Sequence, residues 1–156
     1  MSQLNEREAA YWEAFLRSLP DEQRPSSPTL TAEIAGNLEL ADDLLELYLS
    51  GRKTAGSGLV QEYEHSGEPL PKVGDYWIIL RSDQTPGCIA RTRRVEIHPF
   101  SEVPKEVAIA EGEGDLSLRY WREAHAAFFS PFLQQWDIDD LNKAEVVTEF
   151  FEIVYR

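Results

Sequence analysis

Hydrophobic positions along this chain change their period three times, and the changes separate helices from strands. Between Asn5 and Leu19 the apolar residues Ala9, Trp12, Phe15, Leu16 and Leu19 recur at spacings of three and four, with Glu6, Arg7, Glu8 and Glu13 elsewhere. That pattern predicts an amphipathic helix, stopped at Pro20 and followed by a Pro- and Ser-rich loop over 21–31. A second helix is predicted over Ala41–Ser50, carrying Leu44, Leu45, Leu47, Tyr48 and Leu49. Asp42 and Asp43 favour the positive end of its dipole, and Gly51 is its natural stop.

The period then shortens toward two. Residues 54–61 read as a small-residue strand or turn, and Pro71–Asp75 as a turn leading into a strand over Tyr76–Arg81. The run Ile78-Ile79-Leu80 suits a strand buried on both faces. Ser82–Gly87 reads as a hairpin-like loop, and Cys88–Ile97 as a long strand ended by His98-Pro99. Glu102–Ala110 reads as one irregular helical turn and 110–115 as a glycine-punctuated acidic loop. Leu116–Phe129 is a strongly amphipathic helix that stacks Leu118, Trp121, His125 and Phe128, with Ser117 or Asp115 as its cap. Lys143–Tyr155, rich in Val, Phe, Tyr and Ile, is the closing strand. The order of elements predicts an α+β domain, most simply a small barrel-like sheet with helices packed on it.

Charge narrows the function. The chain of 156 residues has a formal net charge of −13, whereas a protein that grips duplex phosphates through many cations is normally basic. Duplex DNA is therefore not an expected partner. Residues 1–43 hold 3 basic and 9 acidic side chains, residues 44–110 hold 8 and 9, and residues 111–156 hold 4 and 10. A nearly neutral middle between acidic flanks suits a local pocket for one polar or anionic ligand better than a long nucleic-acid track. The single Cys88 allows no internal disulfide and fits a reducing cytosol. No apolar run approaches the roughly 18 residues of a membrane span, and the charged N-terminus has no signal-peptide pattern. A cytoplasmic protein with no membrane partner is expected. Oligomeric state is not legible.

Two clusters carry candidate chemistry. In Gly51-Arg52-Lys53-Thr54-Ala55-Gly56-Ser57-Gly58 a lysine leads into small residues that let a ligand approach the backbone. Such a lysine either pairs with an anion or, desolvated, acts as a base. The glycines follow the lysine, so this is not a phosphate-binding P-loop. The same residues also fit a helix-terminal lysine before a plain strand. In Glu111-Gly112-Glu113-Gly114-Asp115 alternating acids offer a general acid/base, an acceptor for an amino group or a hard-cation site. They equally suit a capping loop for the helix that follows. His125 lies on an apolar stripe, as a core histidine does, and three scattered histidines make no zinc site. No cofactor and no metal are predicted. Arg91, Arg93 and Arg94 lie on one strand, with 91 and 93 on the same face, where they serve phosphate or neighbouring acids.

With these residues in view, the sequence resembles the ASCH domain family (activating signal cointegrator homology), whose small β-barrel is similar to the PUA domain of RNA-modifying proteins. The resemblance runs over roughly 41–155. It rests on Gly51-x-Lys53-Thr54, Val73-Gly74-Asp75, Ile89-x-x-Thr92 and the long string from Glu111-Gly112-Glu113-Gly114-Asp115-Leu116 through Trp121 and His125 to Phe128-Phe129. Residues 41–156 are accordingly expected to form this domain, and 1–40 a helical extension packed on it.

The resemblance implies a cleft with Lys53 at its base, suited to RNA, a nucleotide or a nucleoside. Family members are associated with RNA binding, RNA cleavage and amide hydrolysis on acetylated cytidine. Lys53 matches the family's lysine, and Glu113 the acid of the amidohydrolase branch. That branch has a threonine three positions after the lysine and an arginine two further on. Here those positions are Gly56 and Gly58, so Ser57 or Thr54 would have to supply the hydroxyl. Tyr48 and Trp121 are expected to offer stacking surfaces for a base, and Arg91, Arg93 and Asp115 to contact the ligand. Three outcomes stay open: a ribonuclease-like hydrolase, a binding module without turnover, and a nucleoside amidohydrolase.

Overall fold

The structure, a computed structural model, describes residues 3–156. Among these lie five helices, α1 (Glu6–Arg17), α2 (Ala41–Leu49), α3 (Val60–Ser66), α4 (Lys105–Glu111) and α5 (Leu118–Phe129). The strands are β1 (Leu30–Ile34), β2 (Ala55–Leu59), β3 (Tyr76–Leu80), β4 (Pro86–Pro99) and β5 (Glu145–Tyr155). They form one mixed sheet in the order β1-β3-β4-β5-β2, and the α+β class expected from the sequence is the one found. β1 runs parallel to β3, whereas the β3–β4 and β2–β5 pairs are antiparallel.

Two elements escaped the sequence reading. Leu30–Ile34 sits at the end of the predicted loop yet pairs along its length with Tyr76–Leu80. A five-residue parallel strand takes its hydrogen bonds from far along the chain, and its own pattern is too short to announce it. The segment 1–40 therefore contributes a strand as well as a helix. α3 takes Val60 and Gln61 from the stretch read as a small-residue strand or turn and ends at Gly67, which adopts the left-handed conformation.

The chain divides into two compact units. One comprises the chain up to Gly51, Val73–Arg93 and Phe151–Arg156, and the other Arg52–Lys72 and Arg94–Phe150. In the first, α1 starts from a reciprocal cap: Asn5 accepts from the Glu8 amide, and Glu8 accepts from the Asn5 amide. Its Trp12 and Phe15 are buried with Tyr76, Ile78, Leu80 and Ile89. The apolar face of α2 is buried with Ile79, Cys88, Ala90 and Phe151. In the second unit, Val107 and Ala108 of α4, Trp121 and Phe129 of α5, and Leu59, Val146 and Phe150 of the sheet share one core.

Candidate functional site

The second unit buries two charged side chains close together. Lys53 is 5% exposed and Glu111 is 2% exposed. A buried charge is tolerated only when paired and hydrogen-bonded, so their surroundings show what the fold has been built to hold.

The backbone sets the pair first. Lys53 lies just before β2, and Glu111 is the last residue of α4. The Thr54 amide donates to the Ala110 carbonyl at 2.6 Å, and the Thr54 hydroxyl donates to the same oxygen at 3.2 Å. Gly112 ends α4 with a positive φ of 68° and packs directly on the Arg52 carbonyl. Gly114, also at positive φ, lies flush beneath the Tyr120 ring. Both glycines are thus required by conformation and by close approach.

On that frame the Lys53 ammonium donates to Glu113 Oε2 at 2.8 Å and to Glu111 Oε1 at 3.2 Å. The other Glu111 oxygen accepts from the Ser57 hydroxyl at 2.7 Å and from the Trp121 indole N–H. Thr148 stands directly opposite Ser57 in the β2–β5 ladder, with its hydroxyl 2.8 Å from the serine's. Because Ser57 spends its proton on the carboxylate, Thr148 donates to Ser57. His125, one turn after Trp121 on α5, places Nε2 3.3 Å from Glu111 Oε1. Its Nδ1 lies 2.8 Å from the Trp121 carbonyl oxygen.

These contacts set the electrostatics. Burial pushes the Glu111 carboxyl up, but the His125 hydrogen bond, the Lys53 and His125 charges and the Trp121 indole outweigh burial and hold it at about 2. A carboxylate so stabilised takes up a proton poorly near neutrality, so it is a weak base for activating Ser57. Glu111 is an anchor whose two oxygens are occupied by protein donors. Glu113, with 28% of its side chain exposed, is the carboxylate on the solvent side.

The structure therefore brings together Lys53, Glu113, Ser57 and, through its backbone, Thr54. It does not bring the other candidates there as open ligand contacts. The Tyr48 ring is buried in the first unit in edge-to-face contact with Trp77 and Phe151, so it presents no open face to a base. Trp121 is buried between Phe100 and the stacked His125 ring. Arg91 pairs with Glu152 at 3.5 Å, and Arg93 is exposed on β4 of the first unit. Asp115 accepts from the Ser117 amide, and the Ser117 side chain first and then that amide lower its pKa, while Ser117 caps α5. Among the described residues no group of three or more His, Cys, Asp or Glu side chains is placed to hold a metal ion. No described helix is long and apolar enough to cross a membrane.

Sequence reasoning left Glu111 as one of three alternating acids, read His125 as a core histidine and passed over Thr148. A signal existed for two of them. Val107, Ala108 and Glu111 fall on one buried face of α4, and the Trp121-x-x-x-His125 spacing puts both rings on one face of α5. Thr148 becomes visible only through cross-strand register.

A family model described as the ASCH domain matches residues 31–155. The chain is similar to the crystal structure of an ASCH domain from Lactobacillus crispatus JV V101, at 30% identity and a TM-score of 0.91, covering 98% of this chain and 97% of that one. It is also similar to the crystal structure of a protein from Enterococcus faecalis V583, at 34% identity and a TM-score of 0.80, covering 94% and 87% respectively. The comparison with curated proteins gave no match.

Proposed function

The chain belongs to the ASCH domain family, and from that premise we propose that Lys53 and Glu113 recognise one base of a single-stranded RNA or a free nucleotide. The family, with its α+β, PUA-like fold, is associated with RNA binding. The observation that carries the finer reading is the buried ammonium shared between an anchored carboxylate and a partly exposed one.

Charge decides which part of a nucleotide fits. A phosphate at Lys53 would meet two carboxylates, at 2.8 and 3.2 Å from the ammonium, and the repulsion would offset the attraction. A base edge suits the pair better. Glu113 accepts from an exocyclic amino group, and Lys53 donates to the adjacent ring nitrogen or carbonyl oxygen. Cytosine and adenine present that donor beside that acceptor, whereas uracil reverses it.

Calorimetric titration with cytidine, uridine and a short single-stranded RNA tests this reading. Cytidine should bind at least about tenfold more tightly than uridine, and Glu113→Gln should remove most of that preference, given about 1–3 kcal/mol for a matched polar pair. Equal binding of both nucleosides, or an unaffected Glu113→Gln variant, overturns it.

Hydrolysis is the second reading, favoured by the 2.8 Å contact between Lys53 and the solvent-side Glu113. Those two groups can pass a proton to and from a bound substrate, with RNA or an acylated cytidine as the substrate class. Mass analysis of RNAs and acylated nucleosides incubated with wild type and Lys53→Ala decides it. Products from wild type alone support turnover, and no product from either leaves a binding module.

A further inference from the structure

Resting on the reading of Lys53 and Glu113 as the base-recognising pair, the geometry points to His125 as the positioning residue of that pair, acting through Glu111 by the proton on its Nε2. The imidazole lies nearly flat against the Trp121 indole, with centroids 4.1 Å apart at 19°. Its Nδ1 faces the Trp121 carbonyl oxygen at 2.8 Å, and its Nε2 faces Glu111 Oε1 at 3.3 Å. Both oxygens only accept. A ring with a single hydrogen serves one of them and turns a lone pair toward the other, so only the doubly protonated ring satisfies both. The Nδ1 contact is the shorter, and the helix fixes its carbonyl. The proton that leaves is therefore the one on Nε2.

That proton and the Lys53 ammonium share the same carboxylate oxygen. In the structure the ammonium lies nearer Glu113, at 2.8 Å, than Glu111, at 3.2 Å, and Oε1 is divided between two cations while the proton is present. Once it is lost, Oε1 answers to Lys53 alone and draws the ammonium inward, away from Glu113 and a bound base.

The surrounding groups leave this exchange to these residues. Glu111 faces the ring from α4, and Lys53 reaches the same oxygen from the segment before β2. Ser57 and Thr148 meet at the other oxygen's side as neutral hydroxyls. On α5 itself, Arg122 donates to the Ser101 and Val103 carbonyls, and Glu123 pairs with Arg119 on the exposed face.

NMR of wild type, His125→Gln and His125→Phe tests the link, following the histidine ring nitrogens and the Lys53 side-chain carbons from about pH 5 to 8, where histidine changes charge. In wild type the Lys53 resonances should move with the His125 midpoint, and in both variants they should stay flat. His125→Phe keeps the stack on Trp121 and controls for packing. Cytidine affinity should fall roughly threefold or more across the same midpoint in wild type only, as a charge-assisted contact is lost. Lys53 resonances that ignore the His125 transition, a ring that keeps one charge state throughout, or a pH profile surviving in both variants overturns the proposal. If wild type binds no cytidine at any pH, the base-recognition reading fails while the resonances still decide whether His125 acts on Lys53.

Discussion

Gly112 lies so close on the Arg52 carbonyl that a Cβ at that position would overlap the oxygen. The contact locks the end of α4 to the strand-leading segment that carries Lys53, and it is made while Gly112 holds a left-handed backbone. Gly112→Ala should therefore cost at least about 2 kcal/mol, from the left-handed conformation plus the displaced backbone. It should also shift the Lys53 resonances. Urea denaturation checks the first expectation and NMR the second; a variant with wild-type stability would show that the backbone yields freely there.

The anchored carboxylate gives the protein an acid-sensitive joint. The Glu111 pKa falls from 4.5 to about 2 on folding, so the unfolded chain binds its proton more readily. The resulting stabilisation is complete above about pH 4.5 and is lost as pH falls toward 2, amounting to about 3 kcal/mol. Denaturation of wild type and Glu111→Gln at several pH values should show a shallower acid slope in the variant. Parallel slopes would remove Glu111 as the cause.

Ser57 and Thr148 form a cross-strand hydroxyl relay onto Glu111. Ser57→Ala deprives the fully buried Thr148 hydroxyl of its partner and should cost about 1–3 kcal/mol. Adding Thr148→Val removes the stranded hydroxyl, so the double variant should be more stable than the sum of the single costs predicts by about 0.5 kcal/mol or more. Strict additivity in a denaturant cycle would contradict the relay.

Two carboxylates around one ammonium also predict how ligands rank. Cytidine 5′-monophosphate should bind no more than about threefold more tightly than cytidine, the range of a single exposed ion pair. Calorimetry of the two ligands checks this. A much larger gain from the phosphate would place the 5′ group, instead of the base, on Lys53.

Where local periodicity and packing agreed, the sequence was readable. α1, α2 and α5 followed their apolar stripes, and β3 and β5 followed their β-branched and aromatic runs. β1 and α3 were not, because five and seven residues carry too little pattern against a Pro-rich or charged background. The site divided along the same line. Lys53 stood out by residue type ahead of its small neighbours, whereas Glu113 and Ser57 were singled out only by the family resemblance. Which of the three alternating acids turns inward depended on where α4 ends, so Glu111 passed for one acid among three. Tyr48 and Trp121 were expected as stacking rings from their chain position, but the apolar stripes on which they sit bury them in the two cores. His125 had the look of a core residue, and it is packed like one, yet its polar edge meets the buried carboxylate.

Lys53 and Glu111 stand 58 positions apart along the chain, so neither fragment alone holds the constellation. It comes into being only when α4 has docked beside β2, and an unfolded polypeptide offers a nucleoside nothing comparable. Occupancy must then protect the fold by mass action: a ligand at 100 times its dissociation constant adds about 2.7 kcal/mol. A melting-temperature screen of nucleosides, needing no assay of turnover, would thus find whatever the anchored ammonium was built to greet.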